Sequence, residues 1–221
     1  MNNEISTILE SIKTSYSNID TILVFGSAIT PSWTPQSDVD IFLIDDTLNN
    51  SRSETTINDI DIEFQEDNFV AIKNNMEKER GNLLHRNLST MIATSVVIST
   101  KSPKKINELI EYAKGILASP PKYDEEDVRM WRYSIADYLS KAEKDIARND
   151  PIAFYIDAHY VLQNALELSL ATHNTYMPQP KNLTKLLGEK DPVFLQIWQE
   201  YTNAATPENR LDALKKLSVV Q

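Results

Sequence analysis

Two short apolar runs bracket a glycine–serine turn and a pair of acids, and this stretch leaves the chain few ways to fold. Residues 22–25 are apolar and end in Gly26-Ser27; a loop with Pro31 and Pro35 follows; Ser37-Asp38-Val39-Asp40 then opens a second apolar run, residues 41–44. Both runs are short, rich in β-branched residues and bounded by turn formers, which predicts two buried strands. Asp38 and Asp40 are two apart, so on a strand their side chains point to one face. Adjacent carboxylates repel unless a cation neutralises them. Mg²⁺ takes carboxylate oxygen and leaves room in its shell for phosphates. Gly26 lets a backbone approach a ligand closely, and Ser27 adds a hydroxyl beside free backbone N–H groups. The parts together predict a site for a metal ion and a triphosphate.

A third acidic element follows at residues 58–64, where Ile60, Ile62 and Phe64 alternate with Asp59, Asp61 and Glu63. Strict alternation predicts a strand with one buried and one acidic face. Taken alone, such a face reads as solvated surface.

Gly26-Ser27, ten residues, Asp38-x-Asp40 and a later carboxylate strand, in that order, resemble the signature of the nucleotidyltransferase superfamily with the polymerase-β-like fold. The resemblance implies transfer of a nucleoside monophosphate from a nucleoside triphosphate to an acceptor. It implies nucleotide binding at Gly26, Ser27 and Ser37, and catalytic carboxylates at Asp38, Asp40 and either Asp61 or Glu63. Asp61 is preferred as the third metal ligand beside Asp38 and Asp40; Glu63 competes, and spacing alone does not separate them. Two Mg²⁺ ions, roughly 3.5–4 Å apart, would clamp the attacking and leaving oxygens of an in-line displacement. ATP is the default donor among the triphosphates. Asp61, Glu63 or Glu167 would serve as general base. Relatives often carry a glycine and a basic residue just beyond Gly-Ser; here Ala28, Thr30 and Pro31 stand there, and Pro31 predicts that any helix after the turn is brief.

Charge narrows the partners. The net charge is −10 and the pI about 4.8, which argues against a nucleic-acid partner. The one basic cluster lies within residues 101–105. A neutral or cationic acceptor suits such a chain better. With no cysteine there is neither a disulfide framework nor a thiol nucleophile. No stretch reaches the length of a membrane span, and Met1-Asn-Asn-Glu4 lacks a signal peptide's basic region, so a cytoplasmic protein with access to triphosphates is expected.

In chain order, Ile5, Ile8, Leu9 and Ile12 predict a first amphipathic helix over 4–15. Residues 45–54 read as a polar loop; Asp45 and Asp46, with Glu66 and Asp67, are expected at the mouth of the site, facing a cationic acceptor. Asp67 or Asn68 caps a helix over 69–78, residues 91–100 give a helix tail and a strand, and Ser102-Pro103 opens a helix over 104–117. Arg80-x4-His85 fits the Arg-x4-His pattern of the HEPN ribonucleases, but at so loose a spacing it reads as a surface Arg and a helix-edge His. The prolines of residues 118–122 mark a boundary between domains 1–118 and 122–221.

Beyond it the pattern is helical. Asp124 to Asp127 place acids at a helix start, and Tyr133, Ile135, Tyr138, Leu139, Ala142 and Ile146 continue that helix. Asp150-Pro151 opens the next, with Tyr155, Ile156, His159, Leu162, Leu166 and Ser169 as its stripe. Segments 181–187, 192–202 and 207–217 bring the set to about five helices, with no strand signal after Thr100. His159 and His173 read as ordinary helix residues. The fold class is therefore α+β: an N-terminal mixed-sheet nucleotidyltransferase domain followed by an all-α helical bundle. Asn174, Tyr176, Pro178 and Lys181 resemble the C-terminal helical domain of antibiotic nucleotidyltransferases of the kanamycin and lincosamide kind. That implies a hydroxyl acceptor on a small molecule, aminoglycoside-like, and a possible homodimer in which one helical domain completes the partner's cleft. Trp131 and Trp198 are candidates for that contact and equally for the core. The alternative reading is an antitoxin-like or regulatory module acting on, or binding, a protein partner.

Overall fold

The computed structural model describes residues 3–31, 33, 34, 36–83 and 85–217. They divide into two compact units, one of Met1–Arg80 with Arg86–Ser119 and one of Gly81–His85 with Pro120–Gln221. The class is α+β, with the strands in the first unit and a helical second unit.

The first unit contains strands β1 (Thr21–Phe25), β2 (Val39–Ile44), β3 (Ser51–Ile57), β4 (Ile60–Asp67) and β5 (Val96–Thr100) in the sheet order β3-β4-β2-β1-β5. Its helices are α1 (Asn3–Ser15), α2 (Phe69–Glu79), α3 (Asn87–Thr94) and α4 (Pro103–Ala118). β1 and β2 are central and covered on both faces, so they read as continuous apolar runs rather than alternating ones. On one face, α1 lays Ile5, Ile8, Leu9 and Ile12 against Ile22, Val24 and Ile41. Each such side chain contributes about 1.5–3 kcal/mol when fully buried, and a charge at Ile8, which is wholly buried, would break the layer. On the other face, α2, α3 and α4 cover Leu23, Phe25, Phe42 and Ile44. Alternation places Asp40 on this second face with Phe42 and Ile44.

β3 corrects the sequence reading, in which 45–54 was a loop. Residues Ser51–Ile57 form an edge strand, exposed at every position but Ile57, and pair antiparallel with β4. An edge strand with nothing packed on either face needs no apolar residues, so it leaves no hydrophobic period to read. Asn58 and Asp59, at φ 52° and 61°, make the two-residue turn of the hairpin. The strand expected over 58–64 therefore begins at Ile60, and it continues through Gln65 to Asp67 instead of yielding to a helix start. Asn68 caps α2, its side chain accepting from the Ala71 N–H at 2.8 Å. Ser102 is the N-cap residue of α4, as expected, but makes no side-chain capping bond; its hydroxyl donates to Asp20 Oδ2 at 2.6 Å.

The second unit contains α5 (Glu125–Ala147), α6 (Pro151–Thr172), α7 (Pro180–Lys190), α8 (Pro192–Asn203) and α9 (Pro207–Lys215). Asp124 and Asp127 form a reciprocal capping box on α5. Four of these five helices begin with proline, where the missing N–H costs nothing. α6 buries Phe154, Ala158, Val161, Leu162 and Ala165, while Tyr155, Ile156 and His159 of the expected stripe are exposed. This helix is apolar on most sides, so a three-and-four spacing fits more than one of its faces. Asn174 ends it in the left-handed region at φ 53°, with the Thr175 N–H donating back to Leu170 O at 2.9 Å. Trp131 and Trp198 are partly buried against the core of this unit. Gly81–His85 joins it through backbone bonds from Lys122 N to Gly81 O (2.6 Å) and from Met177 N to Leu83 O (2.7 Å). Among the described residues no helix is long and apolar enough to cross a membrane.

Candidate metal and nucleotide site

β2 and β4 run parallel, with Asp40 directly opposite Glu63. Asp38 immediately precedes β2. One carboxylate oxygen from each of Asp38, Asp40 and Glu63 lies within 4.8 Å of the others, and all three residues are partly buried. Ionised carboxylates at that spacing cost roughly 3 kcal/mol per pair at an effective dielectric near 20, so the ring favours a cation. The donors are hard oxygens without nitrogen or sulfur, which fits Mg²⁺.

β1 delivers the other half of the site. It is antiparallel to β2 with Phe25 opposite Asp40, and the chain then turns at Gly26, whose φ is 71°. A Cβ on Gly26 would lie 2.0 Å from Asp40 Oδ2. Only glycine both adopts this conformation without strain and leaves room for the carboxylate. One 3₁₀ turn, Gly26–Ile29, follows and stops before Pro31, as the brief helix expected there. The Ser27 hydroxyl lies 3.5 Å from Asp38 O, a long contact that holds it loosely at the ring.

A cavity of about 420 Å³ opens beside the ring, walled by Asp38 and Glu63, by Asp61 and Gln36, and from β3 by Glu54, Thr55 and Thr56. The structure thus brings Glu63 into the carboxylate ring with Asp38 and Asp40. Asp61 sits two residues back on the same face of β4, lines the cavity, and accepts from the Thr56 hydroxyl at 3.0 Å. Glu54, directly opposite Glu63 on β3, is a cavity residue that the sequence reading missed. Its signal was Asn58-Asp59, two residues tolerant of positive φ ahead of an alternating strand, which marks a hairpin and so a strand before the turn. Ser37 closes the preceding loop, its Oγ accepting from the Thr34 N–H at 3.2 Å and its own N–H donating to Thr34 O at 2.8 Å.

The acids expected at the mouth are elsewhere. Asp45 and Asp46 lie past the opposite end of β2, roughly 16 Å from Asp40 at the rise of a strand. The Thr47 hydroxyl and N–H, donating to Asp45 at 2.7 and 3.0 Å, hold its carboxyl below the usual range. Asp46 pairs with Lys105 at 3.1 Å, Glu66 accepts from the Ser51 hydroxyl at 2.9 Å, and buried Asp67 accepts from the Asn68 N–H at 2.8 Å. These residues hold turns and strand ends. Arg80 donates to Glu77 at 2.9 Å, His85 and His159 are exposed, and Glu167 accepts from Gln163 one turn earlier on α6 at 3.2 Å.

Residues 5–114 match the family model of the nucleotidyltransferase domain. Among solved structures, the chain is similar to a nucleotidyltransferase-like protein from Exiguobacterium sibiricum 255-15, at 12% identity and a TM-score of 0.52, over 95% of this chain and 73% of that one. At that identity the likeness speaks for the fold. No curated protein matches the chain.

Proposed function

We propose that the nucleotidyltransferase domain of residues 5–114 moves a nucleoside monophosphate, AMP in the first instance, from a triphosphate to a hydroxyl of a small-molecule acceptor. The carrying observation is the convergence of Asp38, Asp40 and Glu63 beside a glycine turn that leaves room for nothing larger. These three carboxylates would hold Mg²⁺, as one ion or two, which when bound supplies charge neutralisation for the triphosphate and the leaving pyrophosphate. Gly26 and Ser27 set backbone N–H groups and a hydroxyl next to the ring, as phosphate donors. The acceptor occupies the cavity, and its hydroxyl oxygen forms a bond to the α-phosphorus. The bond from that phosphorus to the bridging oxygen breaks, and pyrophosphate carries the electron pair away. Asp61, on the cavity wall and outside the ring, takes the hydroxyl proton, a contribution of about 10²–10⁴-fold.

Glu54 and Asp61 make the wall acidic, which suits a cationic acceptor such as an aminoglycoside. The Asn174, Tyr176, Pro178 and Lys181 outline of the second unit points the same way by analogy, though Asn174 also has the backbone task of ending α6. The test is calorimetric titration with ATP, GTP, CTP and UTP in Mg²⁺, for the wild type and for Asp38→Asn/Asp40→Asn. Mg²⁺-dependent binding that the double variant loses supports the reading and names the nucleotide. A folded wild type that binds no triphosphate overturns it and leaves the module that binds a protein partner.

A further inference from the structure

The second unit has a cavity of its own, lined by none of the residues assigned above to nucleotidyl transfer. It measures about 250 Å³ and is lined by Arg132 of α5, by Ser169, Thr172 and His173 at the end of α6, by Asp191, and by an apolar wall that includes Val193, Phe194 and Ile197 of α8. A serine, a histidine and an aspartate together invite a nucleophilic triad, and the geometry denies it. The Ser169 hydroxyl donates straight to Asp191 Oδ2 at 2.7 Å, while His173 Nδ1 lies 2.8 Å from the Ser169 backbone carbonyl. Among the described residues the hydroxyl meets a carboxylate, and no imidazole bonds to it. Because a carbonyl only accepts, Nδ1 carries the proton and Nε2 is the ring's remaining polar atom.

Charge accounting then singles out Arg132. Asp191 is committed twice, accepting from Ser169 with one oxygen and from the Phe194 N–H with the other at 3.0 Å, at the N-terminus of α8, where the helix dipole favours its charge. Arg132 has no carboxylate partner among the described residues. A guanidinium is always charged and offers a planar fork that matches a carboxylate or phosphate with two parallel hydrogen bonds. A fork with no carboxylate partner among the described residues, at the edge of a cavity with one apolar wall, is the pattern of a site with one orienting charge and a hydrophobic body to enclose. We propose that this cavity binds a small organic anion, a carboxylate with a short apolar body, with Arg132 holding the head group and the α8 wall enclosing the tail. The volume is below the ~300–1,000 Å³ of sites for drug-sized ligands, which limits the body to a short chain or a single ring.

Octanoate is the probe, with octanol as the uncharged control, titrated into the full chain and followed by amide shifts in ¹H–¹⁵N spectra. The expected result is saturable binding of octanoate with shifts centred on Thr172, Val193 and Ile197, and at least tenfold weaker binding of octanol. Arg132 is exposed, so Arg132→Gln should fold normally and weaken octanoate at least tenfold without moving octanol. Arg132→Lys should recover part of the loss, since it keeps the charge and forfeits the fork. Val193 is 49% exposed at the rim, and Val193→Trp should plug the cavity and abolish both titrations. Equal binding of octanoate and octanol, shifts scattered away from these amides, or an Arg132→Gln variant that binds octanoate as the wild type does would each overturn the assignment.

Discussion

Gly26→Ala separates the demands of the site from those of the fold. The backbone at φ 71° charges any L-residue about 1–2 kcal/mol. The new methyl would also stand 2.0 Å from Asp40 Oδ2, 3.1 Å from its Cγ and 3.6 Å from its Cβ. Two responses exist. If the carboxylate stays, the overlap adds a further ~1–3 kcal/mol of overpacking. If it turns about χ1, the overlap vanishes, but so short a side chain then carries its oxygens away from Asp38 and Glu63. The second route costs less, because the ring loses mutual repulsion when one carboxylate leaves. Stability should therefore fall by about 1–2 kcal/mol, a modest part of the ~5–15 kcal/mol typical of a domain. Mg²⁺–triphosphate affinity should fall by ~100-fold or more, since losing one carboxylate donor of three costs several kcal/mol of charge-assisted binding. Urea unfolding gives the first quantity and calorimetry the second. A Gly26→Ala protein that is folded and binds Mg²⁺–ATP like the wild type would refute the reasoning, for it would mean that Asp40 need not lie against the turn.

The control lies in the same unit: Gly115, within α4, has nothing within 4 Å of a built Cβ, so Gly115→Ala should raise stability by about 0.5–1 kcal/mol in urea unfolding and leave binding unchanged. Glu63→Gln should abolish Mg²⁺-dependent nucleotide binding, whereas Asp61→Asn should keep it and lower kcat by ~10²–10⁴-fold; the reverse ranking in calorimetry and steady-state rates would put Asp61 in the ring. In the helical unit, burial and then the neighbouring Asp145 carboxyl push the Asp157 carboxyl above its ordinary value of 3.8. The unfolded chain releases this proton first, so the group favours folding most below that pH, and its contribution is lost as pH rises through the folded value. Asp157→Asn should thus raise Tm at pH 7 and lose that advantage towards pH 3, and a gap between the two melting curves that does not vary with pH would count against it.

The fold was legible wherever burial imposes a period. α1 declared itself through Ile5, Ile8, Leu9 and Ile12 because one face of a helix meets a sheet, and the central strands β1 and β2 did so because both their faces are covered. Helix starts in the second unit were readable from local chemistry that acts within four residues of chain: the run of acids from Asp124 to Asp127 that suits a helix dipole, and the Asp150-Pro151 cap and start. Legibility failed at both extremes of burial. β3, bare on both faces, has no hydrophobic pattern, and α6, apolar almost all round, has too many.

The carboxylate site divides in the same way. Gly26 and the Asp38-x-Asp40 pair are local: a turn that needs positive φ and two side chains on one face of one strand follow from a few consecutive residues. The third member of the ring is not local. Asp61 and Glu63 differ by one period of β4, point the same way, and sit in equivalent settings between apolar neighbours, so nothing within that strand ranks them. What ranks them is the register of β4 on β2, and that register is set by the parallel pairing of Val39 with Ile62 and Ile41 with Phe64 across a connection that includes β3. A shift of two residues would preserve every buried side chain's face while exchanging Asp61 for Glu63 opposite Asp40. The hairpin opposes it: the two-residue turn at Asn58-Asp59 locks β3 to β4 from Ile57↔Ile60 onward, so a slipped β4 would carry β3 with it, drag the short 45–50 connection that ties β3 to the end of β2, and break the bonds from the Asp45 N–H to Asp67 O and from Asn68 Nδ2 to Leu48 O. The polar edge of the first unit, which seemed on composition to be mere loop, is therefore what helps to select the carboxylate that faces Asp40.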